Sequence, residues 1–235
     1  PVIVLFEGWG AAGKGSVLGK VIKNIDPRFF KVAVMDEPTE EENRKPFLYR
    51  HFVKIPEAGK FVFMDSGWMS EVTKQKLSGE LSDEDYKKRV ESIKRFERQL
   101  TDNGYLLLKF FFNIDKKEQK KRLNKLKEDK NTKWRVSAYD KWQNKHYEEC
   151  FDVYDQYLCD TDHSSAPWYI VDAKDKKWAQ LQVLETIVQG IDTAFANSAL
   201  SVPLLQNAFP LKPIPKLSEV SLDKELSDEE YERLL

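Results

Sequence analysis

The residues with the clearest chemical potential are consecutive: Gly8-Trp9-Gly10-Ala11-Ala12-Gly13-Lys14-Gly15-Ser16. Glycines at both ends of this stretch let the backbone bend so that several N–H groups point inward. A helix starting near Lys14 adds the partial positive charge of its N-terminus. Phosphate oxygens fit such a turn. The backbone of Gly8, Gly10, Ala11, Ala12, Gly13, Gly15 and Ser16 would cradle them, and the Lys14 ammonium could follow a phosphoryl group during transfer, where electrostatic stabilisation helps most. A G-x-x-x-x-G-K pattern between a strand and a helix is specific for this chemistry, the alternative being a glycine-rich turn of no chemical consequence. The hydroxyl that usually follows the lysine is displaced by one residue, with Gly15 in its place and Ser16 next. That weakens Ser16 as a metal ligand.

A second candidate is Asp65, which ends the apolar run Phe61-Val62-Phe63-Met64. A carboxylate at the end of a strand beside a phosphate loop either holds Mg2+, directly or through water, or caps the next helix. Arg50 and Lys54 lie four apart on a predicted helix, a spacing that puts both on one face, where they contact phosphate or are simply solvated. Between Lys116 and Arg135 ten lysines and arginines accumulate. Most of them read as a solvated helix face, and the end at Lys133-Trp134-Arg135 reads as a basic flap, with Lys133 and Arg135 as candidate ligands of a nucleotide. Trp9 and Trp68 either stack on a base or pack in the core. His51, His146 and His163 show no metal-ligand spacing.

These groups need a scaffold. Short apolar runs bounded by turn residues recur at Val2 to Phe6, Phe30 to Met35, Phe61 to Met64, Tyr105 to Phe112 and Trp168 to Val171, with helical spacing between them. Uninterrupted apolar runs suit strands covered on both faces, and strands alternating with helices suit a parallel sheet. The expectation is a doubly wound α/β fold of about five strands over residues 1–200. One helix is announced by Ser82-Asp83-Glu84-Asp85 and should run to about Leu100. In the last helix Trp178, Leu181, Leu184, Val188, Ile191 and Phe195 form a stripe expected to pack on the sheet. Pro203, Pro210, Pro213 and Pro215 read as a linker over 201–221, before a helix-like ending over 222–235.

With 235 residues and 41% apolar content the chain can bury a full core. A net charge of -1 excludes a protein that coats nucleic acid, which needs a dominant basic field. Only Cys150 and Cys159 are present, which argues against a disulfide framework and for a reducing compartment. No apolar run approaches the roughly 18 residues that span a bilayer, so no membrane association is expected and the chain reads as cytoplasmic.

The sequence resembles the family-2 polyphosphate kinases along its whole length. The family's loop looks like E-G-x-D-A-A-G-K-G, matched by Glu7-Gly8 and Ala11-Ala12-Gly13-Lys14-Gly15; further matches are Pro38 to Glu42, Pro46 to Arg50, Phe96-Glu97-Arg98, Thr161-Asp162 and Ala166 to Tyr169. The resemblance implies a P-loop fold with a helical lid over about 116–160, Mg2+ as cofactor, and transfer between inorganic polyphosphate and AMP, ADP or ATP. It also implies association, as a homo-oligomer or with a tandem second domain. Two departures stand out. Gly10 occupies the family's loop Asp, and Ser66 the Arg of its D-R-S-W-Y motif, positions that the resemblance assigns to Mg2+ and phosphate. The chain therefore fits either an active phosphotransferase or the degenerate copy of a tandem enzyme, in which Gly10→Asp with Ser66→Arg would restore the site. An ATP-dependent nucleotide kinase is a further reading.

Overall fold

The computed structural model describes residues 1–200 apart from Asp36; the expected linker and helical ending lie outside the described residues. Pro1–Ala196 form one compact unit. In chain order it contains β1 (Val2–Gly8), α1 (Lys14–Val21), β2 (Phe30–Val34), α2 (Glu40–Asn43), α3 (Tyr49–Phe52), β3 (Phe61–Asp65), α4 (Trp68–Leu77) and α5 (Asp83–Asp102). There follow β4 (Leu106–Asn113), α6 (Lys116–Glu128), α7 (Ala138–Lys145), α8 (Tyr147–Thr161), β5 (Trp168–Asp172) and α9 (Lys176–Leu200). The five strands pair in parallel in the order β2-β3-β1-β4-β5.

Successive strand residues point to opposite faces, so the burial of Ile3, Val4, Leu5 and Phe6 alike means that both faces of β1 are covered. That is why the run is apolar throughout, and it makes β1 the centre of the core. Its C-terminal end lies beside those of both neighbours, with Phe6 in register with Asp65 and Gly8 with Phe112. The loop after β1 therefore opens at the carboxyl edge of the sheet, beside the point where the strand order reverses, which is where α/β sheets bind ligands. The helix expected from Ser82 is present as α5, with the Ser82 hydroxyl accepting the Asp85 N–H. Both cysteines lie on α8 as free thiols.

Two expectations need correction. Of the expected stripe only Leu184 and Ile191 pack against the core, beside Ala179, Val183 and Ile187, with Gly190 against Leu106 and Leu108, whereas Trp178, Leu181, Val188 and Phe195 are exposed. The helix is apolar on two sides, and its small and β-branched residues make the closer approach. Arg50 and Lys54 do not share a helix face either. Pro46 starts a single short turn that ends at Phe52, leaving Arg50 buried inside it and Lys54 exposed beyond it.

Candidate functional site

Each loop residue has a local reason for its conformation. Gly8 sits at φ +116°, and a Cβ there would run into the Phe112 backbone; only glycine lets β1 stay this close to β4 while the chain turns away. Trp9 donates its backbone N–H to the Phe112 carbonyl (3.2 Å) and its indole N–H to Asn113 Oδ1 (2.9 Å). Its ring stacks on Tyr147 of α8 with centroids 4.0 Å apart and planes 8° apart. Trp9 and Trp68 are both fully buried, so of the two roles open to them packing is the one observed. Ala11 (φ 60°) and Gly13 (φ 101°) both take left-handed conformations that curl the turn inward. The helix α1 then starts at Lys14 with no side-chain cap among the described residues. Such an end leaves backbone donors for an anion.

The Lys14 ammonium donates to the Gly8 and Trp9 carbonyls, both at 3.1 Å, bending back across the start of the turn. Beside it lies Glu7, the last buried residue of β1. Glu7 accepts the Gly67 N–H (2.8 Å) and the Ser70 N–H (3.3 Å) and bonds the Ser70 hydroxyl. Burial pushes its carboxyl from 4.5 up to about 7, against the opposing pull of Ser70 and the Lys14 charge. A carboxyl held more tightly protonated in the folded state stabilises the fold fully below about pH 4.5 and loses that contribution as pH rises to about 7. The displacement corresponds to ~3 kcal/mol. Urea titrations across that pH window should show the wild type falling relative to Glu7→Gln by about this amount; parallel curves would mean that Glu7 is solvated.

Asp65, at the end of β3, lies beside Phe6 in the sheet register, one residue from Glu7. Ser66 follows at φ 66° and donates its N–H to the Phe6 carbonyl (3.0 Å). Among the described residues no three His, Cys, Asp or Glu side chains converge into a metal cage. Mg2+ is commonly bound by one or two carboxylates together with phosphate oxygens, a donor set that Asp65 and a phosphate in the loop would fit.

Arg50 lines a cleft of about 440 Å³ with Glu37, Gly67, Ser70, Glu71 and Tyr139, among others. Two carboxylates face its guanidinium, Glu71 at 3.6 Å and Glu42 at 3.9 Å. Lys133 and Arg135 lie on an exposed turn between α6 and α7. Neither they nor Lys54 line this cleft. The structure thus gathers Gly8 to Ser16 with Asp65 at one edge of the sheet and leaves these three basic residues elsewhere on the surface.

Several residues in contact with the loop could not be picked out by residue type. Gln143 Oε1 accepts the Gly10 N–H (2.9 Å), and Gln119 Nε2 donates to the Gly10 carbonyl (3.3 Å) and to Gln143 Oε1 (2.7 Å). Both amides are buried. Arg122, part of the basic stretch expected to face solvent, instead donates to the carbonyls of Ala12 (3.1 Å), Ala173 (2.8 Å) and Lys174 (2.8 Å). The one available signal was the i, i+4 spacing of Gln119 and Leu123, which puts both on the inward face of α6. The segment from α6 to α8 is therefore joined to the phosphate loop by hydrogen bonds on both sides of Gly10.

The model of the Polyphosphate kinase 2 (PPK2) family matches residues 1–199. A polyphosphate:AMP phosphotransferase of Pseudomonas syringae pv. tomato is 32% identical over 197 residues, 83% of this chain and 39% of the relative. An ADP-polyphosphate phosphotransferase of Rhizobium meliloti is 30% identical over 190 residues, 81% of this chain and 67% of the relative. The crystal structure of a protein described as polyphosphate kinase 2 from Pseudomonas aeruginosa superposes with a TM-score of 0.80 at 30% identity, covering 83% of this chain and 42% of that one. This chain thus spans well under half of two of these three proteins. With the loop, its lysine and the parallel sheet that presents them, the match over residues 1–199 establishes that the chain belongs to the polyphosphate kinase 2 family.

Proposed function

We propose that this chain transfers phosphoryl groups between inorganic polyphosphate and a nucleoside mono- or diphosphate, AMP or ADP. The observation that carries this reading is the turn from Gly8 to Ser16, with Lys14 at the start of an uncapped helix, in a family whose relatives are named for polyphosphate-dependent transfer involving AMP or ADP. In this reading phosphate oxygens are held by the remaining loop amides, since the N–H groups of Gly10, Ala12 and Ser16, expected in the cradle, are donated to Gln143, Trp9 and Gly13. Lys14 leaves the carbonyls of Gly8 and Trp9 to accompany the transferred group. Asp65 holds Mg2+, which when bound neutralises charge on the phosphates. The nucleotide enters through the cleft beside Arg50, Ser70 and Tyr139, and residues 116–160 form the lid, with Lys133 and Arg135 turned toward the nucleotide when it closes. The two free thiols fit a reducing cytoplasm.

The experiment is direct. The purified chain, given polyphosphate with AMP or ADP and Mg2+, should produce ADP or ATP. Product from ATP as donor but none from polyphosphate would make the chain a nucleotide kinase. Binding of polyphosphate without any product would make it a binding module, a reading favoured by Gly10 and Ser66 standing where the resemblance expects an acid and an arginine. Restoring that acid is not a matter of position 10 alone, because Asp140 occupies the space its side chain would need.

A further inference from the structure

Gly10 is a glycine for reasons of space. Its backbone lies outside the left-handed region, so its conformation admits a side chain, but a Cβ there would overlap the Asp140 Oδ1 and lie 3.2 Å from Gln143 Oε1. The slot that a side chain at position 10 would fill already holds a carboxylate, carried in by α7. Asp140 is firmly held there. Its Oδ2 accepts the Ser137 N–H (2.8 Å) and the Ser137 hydroxyl (2.7 Å), the capping box that starts α7. That leaves Oδ1 toward Gly10. One turn further along the same helix, Gln143 takes the Gly10 N–H.

A carboxylate fixed against a phosphate-binding turn is repulsive toward phosphate unless a cation lies between them. With a divalent cation present the sign reverses, because carboxylate and phosphate oxygens are the ligands that Mg2+ prefers. The geometry points to Asp140 as the acid of the phosphate site, supplied from α7 across the loop, which positions the cation that accompanies the phosphate chain and thereby couples Mg2+ to polyphosphate binding. This rests on the proposed function, in that it requires polyphosphate to occupy the loop. It assigns a role to a residue 130 positions away in sequence. The carboxylate is carried by α7, so the cation site is complete only with α7 packed against the loop.

The test measures polyphosphate binding to the whole chain by calorimetry, with Mg2+ and with chelator, for the wild type, Asp140→Ala, Asp140→Asn and the exchange variant Gly10→Asp/Asp140→Ala. In the wild type, Mg2+ should tighten binding by at least about fivefold more than in Asp140→Ala. In chelator Asp140→Ala should bind more tightly than the wild type, because the repulsion is gone. The exchange variant, with its carboxylate moved onto the loop and the overlap relieved, should regain the dependence on Mg2+. Asp140→Asn keeps a side-chain oxygen to cap α7 but removes the charge, so it should lose the Mg2+ dependence as Asp140→Ala does. Equal Mg2+ dependence in the wild type and Asp140→Ala overturns the assignment while leaving the proposed function standing. An Asp140→Asn variant that keeps the wild-type dependence on Mg2+ overturns it too, by showing that capping alone is at work. A wild type that binds no polyphosphate under either condition overturns both readings.

Discussion

Replacing Lys14 with alanine should lower the proposed polyphosphate-driven nucleotide phosphorylation by on the order of a hundredfold to a thousandfold, the range seen when one preorganised group facing developing charge is removed. The magnitude follows from where the ammonium sits. In the free chain it makes two hydrogen bonds to loop carbonyls, at Gly8 and Trp9; neither carbonyl is a counter-charge, and both can be given up for phosphoryl oxygens. Folding depends on it much less. The side chain is half-buried and its bonds are to neutral acceptors, so the loss in stability should be about 1 kcal/mol. Rates of ADP and ATP formation together with a urea titration check both halves. An alanine variant that turns over like the wild type would remove the lysine, and with it the phosphate cradle, from the mechanism.

The largest effect on stability is expected away from the loop, at Glu97. This carboxylate is fully buried and receives three groups: the Lys109 ammonium (2.7 Å), the Trp68 indole N–H (2.8 Å) and a His163 ring nitrogen (2.8 Å). Lys109 is equally buried and also donates to the Thr161 carbonyl (2.9 Å). Burial pulls the Lys109 ammonium below its ordinary value even with Glu97 opposing that shift. Glu97→Ala strands this cation in the core, which should cost about 3–5 kcal/mol, whereas replacing both partners with apolar residues of similar size should cost much less. Urea unfolding of Glu97→Ala beside the double variant Glu97→Leu/Lys109→Met separates the two. If the single and double variants are equally unstable, packing volume rather than the unpaired charge sets the loss.

The parts of this architecture that could be read from sequence are those in which local pattern and tertiary demand coincide. The central strands β1, β3 and β4 could be read because a strand covered on both faces has few polar positions to interrupt its run, Lys109 being the exception within β4; the edge strands β2 and β5 kept apolar runs although they are partly exposed. The Gly8 to Ser16 turn and the start of α1 at Lys14 were legible because glycine spacing and helix start lie within a few residues of each other. The Gln119, Arg122, Asp140 and Gln143 contacts to the loop were not. They join residues more than a hundred positions apart, and polar side chains on α6 and α7 look the same in sequence whether they meet water or a buried peptide group. The stripe on α9 held only at Leu184 and Ile191, for a related reason. Periodicity reports that a helix has an apolar face, and where two faces are apolar only packing chooses between them. Glu97 shows the intermediate case, since it lies in a stretch that carried the family resemblance, yet its pairing with Lys109 and His163 depends on three separate elements meeting.

Trp9 gives the phosphate turn an unusual foundation. Its indole lies in the same buried cluster as the sheet, stacked on α8 and tied to the end of β4. The turn therefore cannot fray as a surface loop does; opening it would draw an aromatic ring out of the protein interior, and its local stability should approach that of the strands beneath it. An anion arriving at Gly8 to Ser16 meets a backbone already set in shape by the folding of the whole unit, and its capture does not bear the entropy of arranging that backbone.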